Sequence, residues 1–231
     1  MANELTKTDI IGIALEHGAQ GTIEFSDIDN DNSPEATKAK RLYKKVFQTL
    51  MSSFPWPFAT DRVELQRSAG NERPVRSYTY FYDPPPSPWF LWDLYRNKDQ
   101  GYSYGSIWNY QYYQVFSFDE GGDAAFFSGE AEVIGGRIAS NHSRLYAFYT
   151  PKQTMPPDKW SVHFTDCFIA TLGKEFVRRS TTDVEMLATK IKLSNSEMNT
   201  AKTMATLENK GAVRIERPEI LQKLDIFTGG Y

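Results

Sequence analysis

Apolar residues recur at helical spacing in the N-terminal part of the chain and predict two helices there. The first prediction covers residues 8–17. The second covers residues 34–53, where apolar positions repeat at i, i+4 and i+8. This stripe consists of Leu42, Tyr43, Val46, Phe47, Leu50 and Met51. Pro55 and Pro57 forbid continuation of the second helix, so we expect it to end just before them.

The helical period returns after Pro156 and predicts two further helices. The stripe of the third helix consists of Trp160, Phe164, Cys167, Phe168, Thr171, Leu172 and Phe176. The fourth helix is predicted to begin near Thr182, because Glu185 follows three residues later, as in a capping box. Its stripe consists of Val184, Leu187, Ile191, Met198, Ala201, Ala205 and Leu207. Two long helices with so short a connection are expected to pack antiparallel.

The middle of the chain favours β-strands. Residues 58–68 alternate weakly between apolar and polar, and residues 78–82 and 112–118 are rich in aromatic side chains that suit a pleated, half-buried surface. Residues 124–150 predict three further short strands, separated by glycine and asparagine. We therefore expect a small antiparallel β-domain between the helical segments.

This order of elements predicts an α+β fold. The simplest arrangement is an antiparallel bundle of about four helices, interrupted by the β-domain. We assign residues 1–55 and 156–210 to the bundle and residues 56–155 to the β-rich insertion. Residues 211–231 show no period and are predicted to form an extended C-terminal arm.

Composition narrows the classes of function. The 231-residue chain has a net charge of −3, which argues against a nucleic-acid binder that depends on overall positive charge. The N-terminal apolar run is too short to cross a membrane and lacks the basic region of a signal peptide, so we expect a cytoplasmic product without a membrane partner. The single cysteine, Cys167, excludes an internal disulfide and is expected to be a buried structural thiol.

The acidic stretch before the second helix has two interpretations. Its alternating carboxylates match the first three ligands of an EF-hand loop: Asp27, Asp29 and Asp31. The twelfth position, where such a loop needs a bidentate glutamate, is Lys38. Ser33 suits a helix N-cap and Pro34 suits the first helical position. We therefore predict the polar entrance to a helix and not a calcium site.

Candidate catalytic groups are sparse, and we predict no enzyme, no cofactor and no metal site. His163 and Cys167 stand four residues apart on the third helix, but no orienting third group accompanies them, which favours a structural role. A lytic activity that uses acids such as Asp119 or Glu130 is kept as a minor hypothesis.

The aromatic residues between positions 78 and 113 admit two hypotheses. They could form the core of the β-domain and a subunit interface, where tyrosine and tryptophan are enriched. Alternatively, the region could form a carbohydrate-binding tail module, which requires Trp92, Tyr104 and Trp108 to be exposed. We favour the first hypothesis because so many large rings exceed what one ligand cleft needs.

Several segments carry a resemblance to a known family. An acidic, serine-containing lead enters a helix that ends in QTLMSSFPWPFATDRVEL, with Trp56 before "FA". A later strand reads GRIASNHSRLYAFYT, and the helix DKWSVHFTDCFIATLGKEFVRRS and a long polar helix follow. In order and spacing, these segments, which run from residue 8 to about 208, resemble the tail tubular protein A family, the portal–tail adaptors of short-tailed (podovirus) bacteriophages.

The resemblance implies a structural virion protein at the head–tail junction, assembled in the host cytoplasm. Such adaptors form a dodecameric ring that binds the portal protein above and the tail nozzle protein below, with tail fibres or spikes attached around the joint. Helical bundles stand side by side around a channel through which DNA passes without sequence-specific binding. An acidic wall suits such a conduit because it does not attract phosphates.

The arm contains an apolar cluster that could become ordered on a partner. We expect it to insert against portal subunits. The anchors of this portal-binding arm are Ile220, Leu221, Leu224, Ile226 and Phe227.

Overall fold

The computed structural model describes residues 5–17, 25–69, 78–95, 116–117, 124–127, 131–134, 136–152, 155–180 and 183–210. Within these ranges the protein mixes α and β structure, with four α-helices and two four-stranded antiparallel sheets. The α+β prediction is confirmed at this level.

The four helices occupy the predicted segments: α1 (Lys7–His17), α2 (Pro34–Ser53), α3 (Val162–Ser180) and α4 (Val184–Lys210). The start of α2 is as predicted, because the N–H of Ala36 donates to Ser33 Oγ at 3.2 Å. The start of α4 lies near Thr182, as predicted, but the capping residue is Asp183. Asp183 Oδ1 accepts from the N–H groups of Glu185 and Met186 at 2.9 and 3.0 Å. A carboxylate at this place satisfies two backbone donors and also complements the helix dipole, so the helix starts one residue later.

Helix α3 is the central helix and contacts α1, α2 and α4. Every member of its predicted stripe is buried. Gly173 allows the close approach of α1, because a Cβ at this position would stand 3.1 Å from the carbonyl oxygen of Ala14. On the α4 side the hydroxyls of Thr171 and Ser194 are hydrogen-bonded at 3.1 Å. The pairing of Thr171 with Ser194, and of Cys167 with Met198, confirms that α3 and α4 run antiparallel.

The described residues between α2 and α3 form eight strands: β1 (Asp61–Glu64), β2 (Tyr80–Tyr82), β3 (Pro88–Tyr95), β4 (Phe116–Ser117), β5 (Ala124–Phe127), β6 (Ala131–Ile134), β7 (Arg137–Ser140) and β8 (Tyr146–Pro151). Sheet 1 has the order β1-β8-β3-β4, and sheet 2 has the order β2-β7-β6-β5. Residues 124–150 hold most of four strands, so the prediction of three strands there is wrong. The short turn at Gly136, where φ is +78°, separates β6 from β7.

Sheet 1 lies between the helices and sheet 2. Phe90 and Phe148 belong to the same core cluster as the helices. Leu91 and Tyr149, one position further along each strand, belong to a second core cluster with residues of sheet 2 such as Ile138. Because successive side chains of a strand point to opposite faces, the central strands β3 and β8 of sheet 1 are buried on both faces.

Two tryptophans occupy irregular positions of β3. The register against β8 shifts by one residue between Pro88 and Phe90 and again between Leu91 and Asp93. Trp89 and Trp92 are therefore the extra residues of two bulge-like irregularities, which re-aim side chains relative to the regular pleat. Both belong to the core cluster that contains the helices, so the irregularities bring two large rings against the helical layer.

Candidate functional site

The portal-binding arm predicted from the sequence lies outside the described residues. Its anchors, Ile220, Leu221, Leu224, Ile226 and Phe227, therefore stay a prediction. Asp119 and Glu130, the acids of the lytic hypothesis, also lie outside the described residues, as do Tyr104 and Trp108.

Trp92 does not meet the requirement of the carbohydrate hypothesis. Its side chain is buried, with 2% of its surface exposed. Its Nε1–H donates to Thr150 Oγ1 at 2.8 Å, across β3 and β8. The carbohydrate hypothesis therefore lacks its exposed Trp92, because the irregular register of β3 directs the ring into the core. The neighbouring Trp89 and Phe90 are buried as well.

The acidic lead before α2 is held by hydrogen bonds within the turn. Asp27 accepts from the backbone N–H of Asp29 at 3.0 Å and from the side-chain amide of Asn30 at 2.6 Å, and these bonds lower the pKa of Asp27. Asp31 accepts from the N–H of Ser33 at 2.7 Å, which lowers the pKa of Asp31. The carboxylates therefore stabilise the turn into α2, as the sequence predicts.

The thiol of Cys167 is fully buried between α3 and α4 and is positioned to donate to Met198 Sδ at 3.8 Å. Burial raises the pKa of Cys167 to about 11, so the thiol is protonated near neutral pH. Since the thiolate is the nucleophilic form, this environment suits a structural cysteine.

Helix α4 carries exposed apolar side chains. Four large apolar side chains of this helix are exposed, although three of them belong to its predicted core stripe: Val184, Ile191, Leu193 and Leu207. The prediction that Val184, Ile191 and Leu207 are buried is therefore wrong. Farther along the helix, Ala201 and Ala205 are buried as predicted.

These four side chains define two sides of α4. A helix turns by about 100° per residue, so Val184 and Ile191 lie within about 20° of each other, on what we call the first apolar side. By the same spacing, Leu207 lies about 40° from Leu193, and both form the second apolar side. Leu193 lies about 160° from Ile191, so the two apolar sides are nearly opposite. A helix of this kind can pack against two neighbours at once.

A cleft of about 780 Å³ lies between α2 and the segment that leads into α3. We call it the α2 cleft. One wall is a row of α2 residues spaced as neighbours on a helix surface: Lys40, Tyr43, Lys44, Phe47 and Gln48. The opposite wall consists of Lys152, Met155, Pro156 and Pro157. Lys7, Asp29, Trp89 and Trp160 complete the lining.

Aromatic rings form the floor of the α2 cleft. Trp160 stacks on Tyr43 with a centroid separation of 6.2 Å and on Phe47 at 5.6 Å. Phe47 also contacts Trp89 at 6.1 Å. Trp89 and Trp160 are buried, whereas Tyr43 and Phe47 are partly exposed. Burial raises the pKa of Tyr43, so its hydroxyl is neutral at physiological pH.

The charges of the cleft are mostly positive. In the part of the chain that the structure describes, its lining includes four lysines and a single aspartate, Asp29. Lys7 forms an ion pair with Asp29 and lies 5.5 Å from the centroid of the Tyr43 ring. Lys40 Nζ donates to the carbonyl oxygen of Asp31 at 2.7 Å. Lys44 and Lys152 are exposed on the two opposite walls.

The sequence pattern does not predict the α2 cleft. Periodicity assigns Tyr43 and Phe47 to the core stripe of α2, and the lysines around them have the pattern of a solvated helix face. The one signal in the sequence is the row of alternating aromatic and basic residues at i, i+3, i+4 and i+7 from Lys40. The opposite wall comes from a segment more than a hundred residues away, which local periodicity does not reveal.

No known protein family matches this sequence, and no curated protein shows significant similarity to it. Among the helices that the structure describes, none combines the length and the apolar character needed to cross a membrane. Within the same described ranges, no group of three or more histidine, cysteine or acidic residues is arranged to hold a metal ion.

Proposed function

We propose that this chain is a structural virion protein, a portal–tail adaptor that forms a dodecameric ring between the portal protein and the tail nozzle protein of a short-tailed phage. The proposal starts from the resemblance of the segments between residues 8 and 208. The structural observation that supports it best is the pair of opposite apolar sides on α4.

Opposite apolar sides suit a ring of identical copies. In a heterologous interface, two different surfaces of the same chain meet, and the assembly closes into a ring when the rotation between copies allows it. The first apolar side of one copy would contact a different surface of the next copy, and the second apolar side would contact the copy behind. Helix α4 has 27 residues, so it spans about 40 Å and offers a long contact.

The remaining features agree with a DNA conduit. The net charge of −3 gives the ring no overall attraction for phosphates, so a duplex can pass without sequence-specific binding. In this proposal, tail fibres or spikes attach around the ring, and the protein resides at the head–tail junction after assembly in the host cytoplasm. No catalytic step is required of it.

Charge substitutions on α4 test the proposal. Ile191→Glu and Leu193→Glu place a carboxylate on the first and second apolar sides, where 42% and 39% of the side chains are exposed. Because these positions are exposed in the single chain, we expect unchanged helical circular dichroism. Burial of a charge in a subunit interface is costly, so the amount of chain that sediments with portal rings should fall by at least about tenfold.

Asn199→Glu is the matched control. Asn199 is exposed on α4 and lies between the two apolar sides, so the same change in charge should leave assembly at the wild-type level. Normal sedimentation of both Ile191→Glu and Leu193→Glu with portal rings would show that α4 does not form the interface.

The C-terminal arm is proposed to bind portal subunits. Its anchors would be the five apolar residues between Ile220 and Phe227. A chain that ends at Lys210 should keep the fold, because it retains every residue of the two core clusters. It should bind the portal more weakly than the full chain in the same sedimentation assay. Equal binding by both chains would remove the arm from the proposal.

A further inference from the structure

We propose that the α2 cleft is a docking site for an acidic peptide segment of a partner protein, anchored by an apolar side chain such as phenylalanine or proline. The inference does not depend on ring formation, because every residue that lines the cleft belongs to a single chain.

Charge supports an anionic occupant. The described residues of the lining include four lysines and one aspartate, although the whole chain carries a net charge of −3. Local positive charge on an acidic protein attracts carboxylates and repels basic segments. Lys44 on α2 and Lys152 after β8 both line the cleft and are exposed, so their ammonium groups can bind carboxylates of a peptide that lies in the cleft.

The apolar floor supports an anchor side chain. Tyr43 and Phe47 are partly exposed above buried Trp89 and Trp160, and Met155 and Pro157 face them from the other wall. Protein interfaces commonly combine such an aromatic centre with a charged rim. The volume of about 780 Å³ accommodates a few side chains.

The geometry favours a peptide over a nucleotide. Stacking of a nucleobase needs an open ring face, and the two largest rings of the floor have only 8% and 3% of their surface exposed. Among the described residues, the lining contains lysine and no arginine, the residue that binds phosphate in a bidentate manner. Carboxylates need only the point charges that lysine provides.

A peptide display library, selected on the immobilised full chain, tests the inference without assuming a sequence. We expect enriched peptides to contain aspartate or glutamate together with phenylalanine, tryptophan or proline. The affinity of the best peptide, measured by fluorescence anisotropy, should fall by at least about tenfold in Lys44→Glu and further in the double variant with Lys152→Glu. Raising the salt to about 0.5 M should weaken binding.

Lys38→Glu is the matched control, because Lys38 is exposed on the same helix but does not line the cleft. The affinity of the Lys38→Glu variant for the best peptide should stay within about twofold of the wild-type value. No enrichment, enrichment of peptides without acidic residues, or equal losses in Lys38→Glu and Lys44→Glu would each overturn the inference. Tighter binding of labelled oligothymidine than of the selected peptide, abolished by Lys44→Glu, would assign the cleft to nucleic acid instead.

Discussion

Cys167 shows how one buried group connects packing to pH. Its thiol lies between α3 and α4, against Met198, and is fully buried. In water a cysteine thiol ionises with a pKa of about 8.5, because the thiolate is hydrated. Burial disfavours the thiolate and raises the pKa of Cys167 to about 11 in the folded protein. The folded state therefore holds the thiol proton of Cys167 more tightly than the unfolded state does.

We predict a pH-dependent contribution of Cys167 to stability. Below about pH 8.5 the thiol is protonated in both states, so its contribution is fully present. As the pH rises towards about 11, the unfolded chain loses this proton first, and the contribution is lost. The free energy of unfolding in urea should therefore fall more steeply between pH 8 and pH 10 for the wild type than for Cys167→Ala. Parallel pH dependences would contradict the assignment.

At the scale of elements, β3 and β8 are joined by a buried side-chain pair in addition to the strand pairing. Trp92 Nε1 and Thr150 Oγ1 stand 2.8 Å apart, and each residue has 2% of its surface exposed. A buried hydroxyl that loses its hydrogen-bond partner cannot bond to water instead, so the loss destabilises the folded protein.

Substitution of Trp92 and Thr150 measures how much their hydrogen bond contributes to the free energy of unfolding. Trp92→Phe removes the donor and part of the ring, and we expect a loss of about 1 to 3 kcal/mol in the free energy of unfolding. Trp92→Phe leaves the Thr150 hydroxyl without a hydrogen-bond donor. Adding Thr150→Val to the same chain removes that hydroxyl. The double variant should therefore be less destabilised than the two single losses added together. Strict additivity in a denaturation series would mean that the bond contributes nothing.

The helices could be predicted from sequence because their apolar stripes are local. The predicted bounds of α2 match the structure to the residue, and the stripe of α3 is buried in full. Strand β3 was not predicted. It is apolar on both faces, and its two irregular positions at Trp89 and Trp92 break the alternation by which a strand is recognised.

The candidate surfaces depend on distant parts of the chain and were not predictable from local patterns. Val184 and Ile191 have the spacing of a core stripe, yet only the packing of α3 and α4 decides that they stay exposed. The α2 cleft likewise forms only when Lys152 and residues 155–160 lie beside α2. Periodicity predicts which side of a helix is apolar, but it does not reveal what covers that side.

At the scale of the whole molecule, the protein is built in three layers: helices, sheet 1 and sheet 2. The central strands β3 and β8 of sheet 1 are buried on both faces, so they connect the helical core to the second core cluster. The apolar sides of α4 and the basic α2 cleft both belong to the helical layer and the segment that leads into α3. In the proposed ring, the helical layer would contact neighbouring copies through α4, while the α2 cleft would accept a partner segment.

Native mass spectrometry can show whether the chain assembles on a portal ring, as we propose. The purified full chain is measured alone and after mixing with the portal ring of the same phage. We predict that the chain alone has a small mass. After mixing, we expect a complex that contains the portal ring and one dodecameric ring of the chain. A well-folded sample that leaves the mass of the portal ring unchanged would contradict the adaptor function.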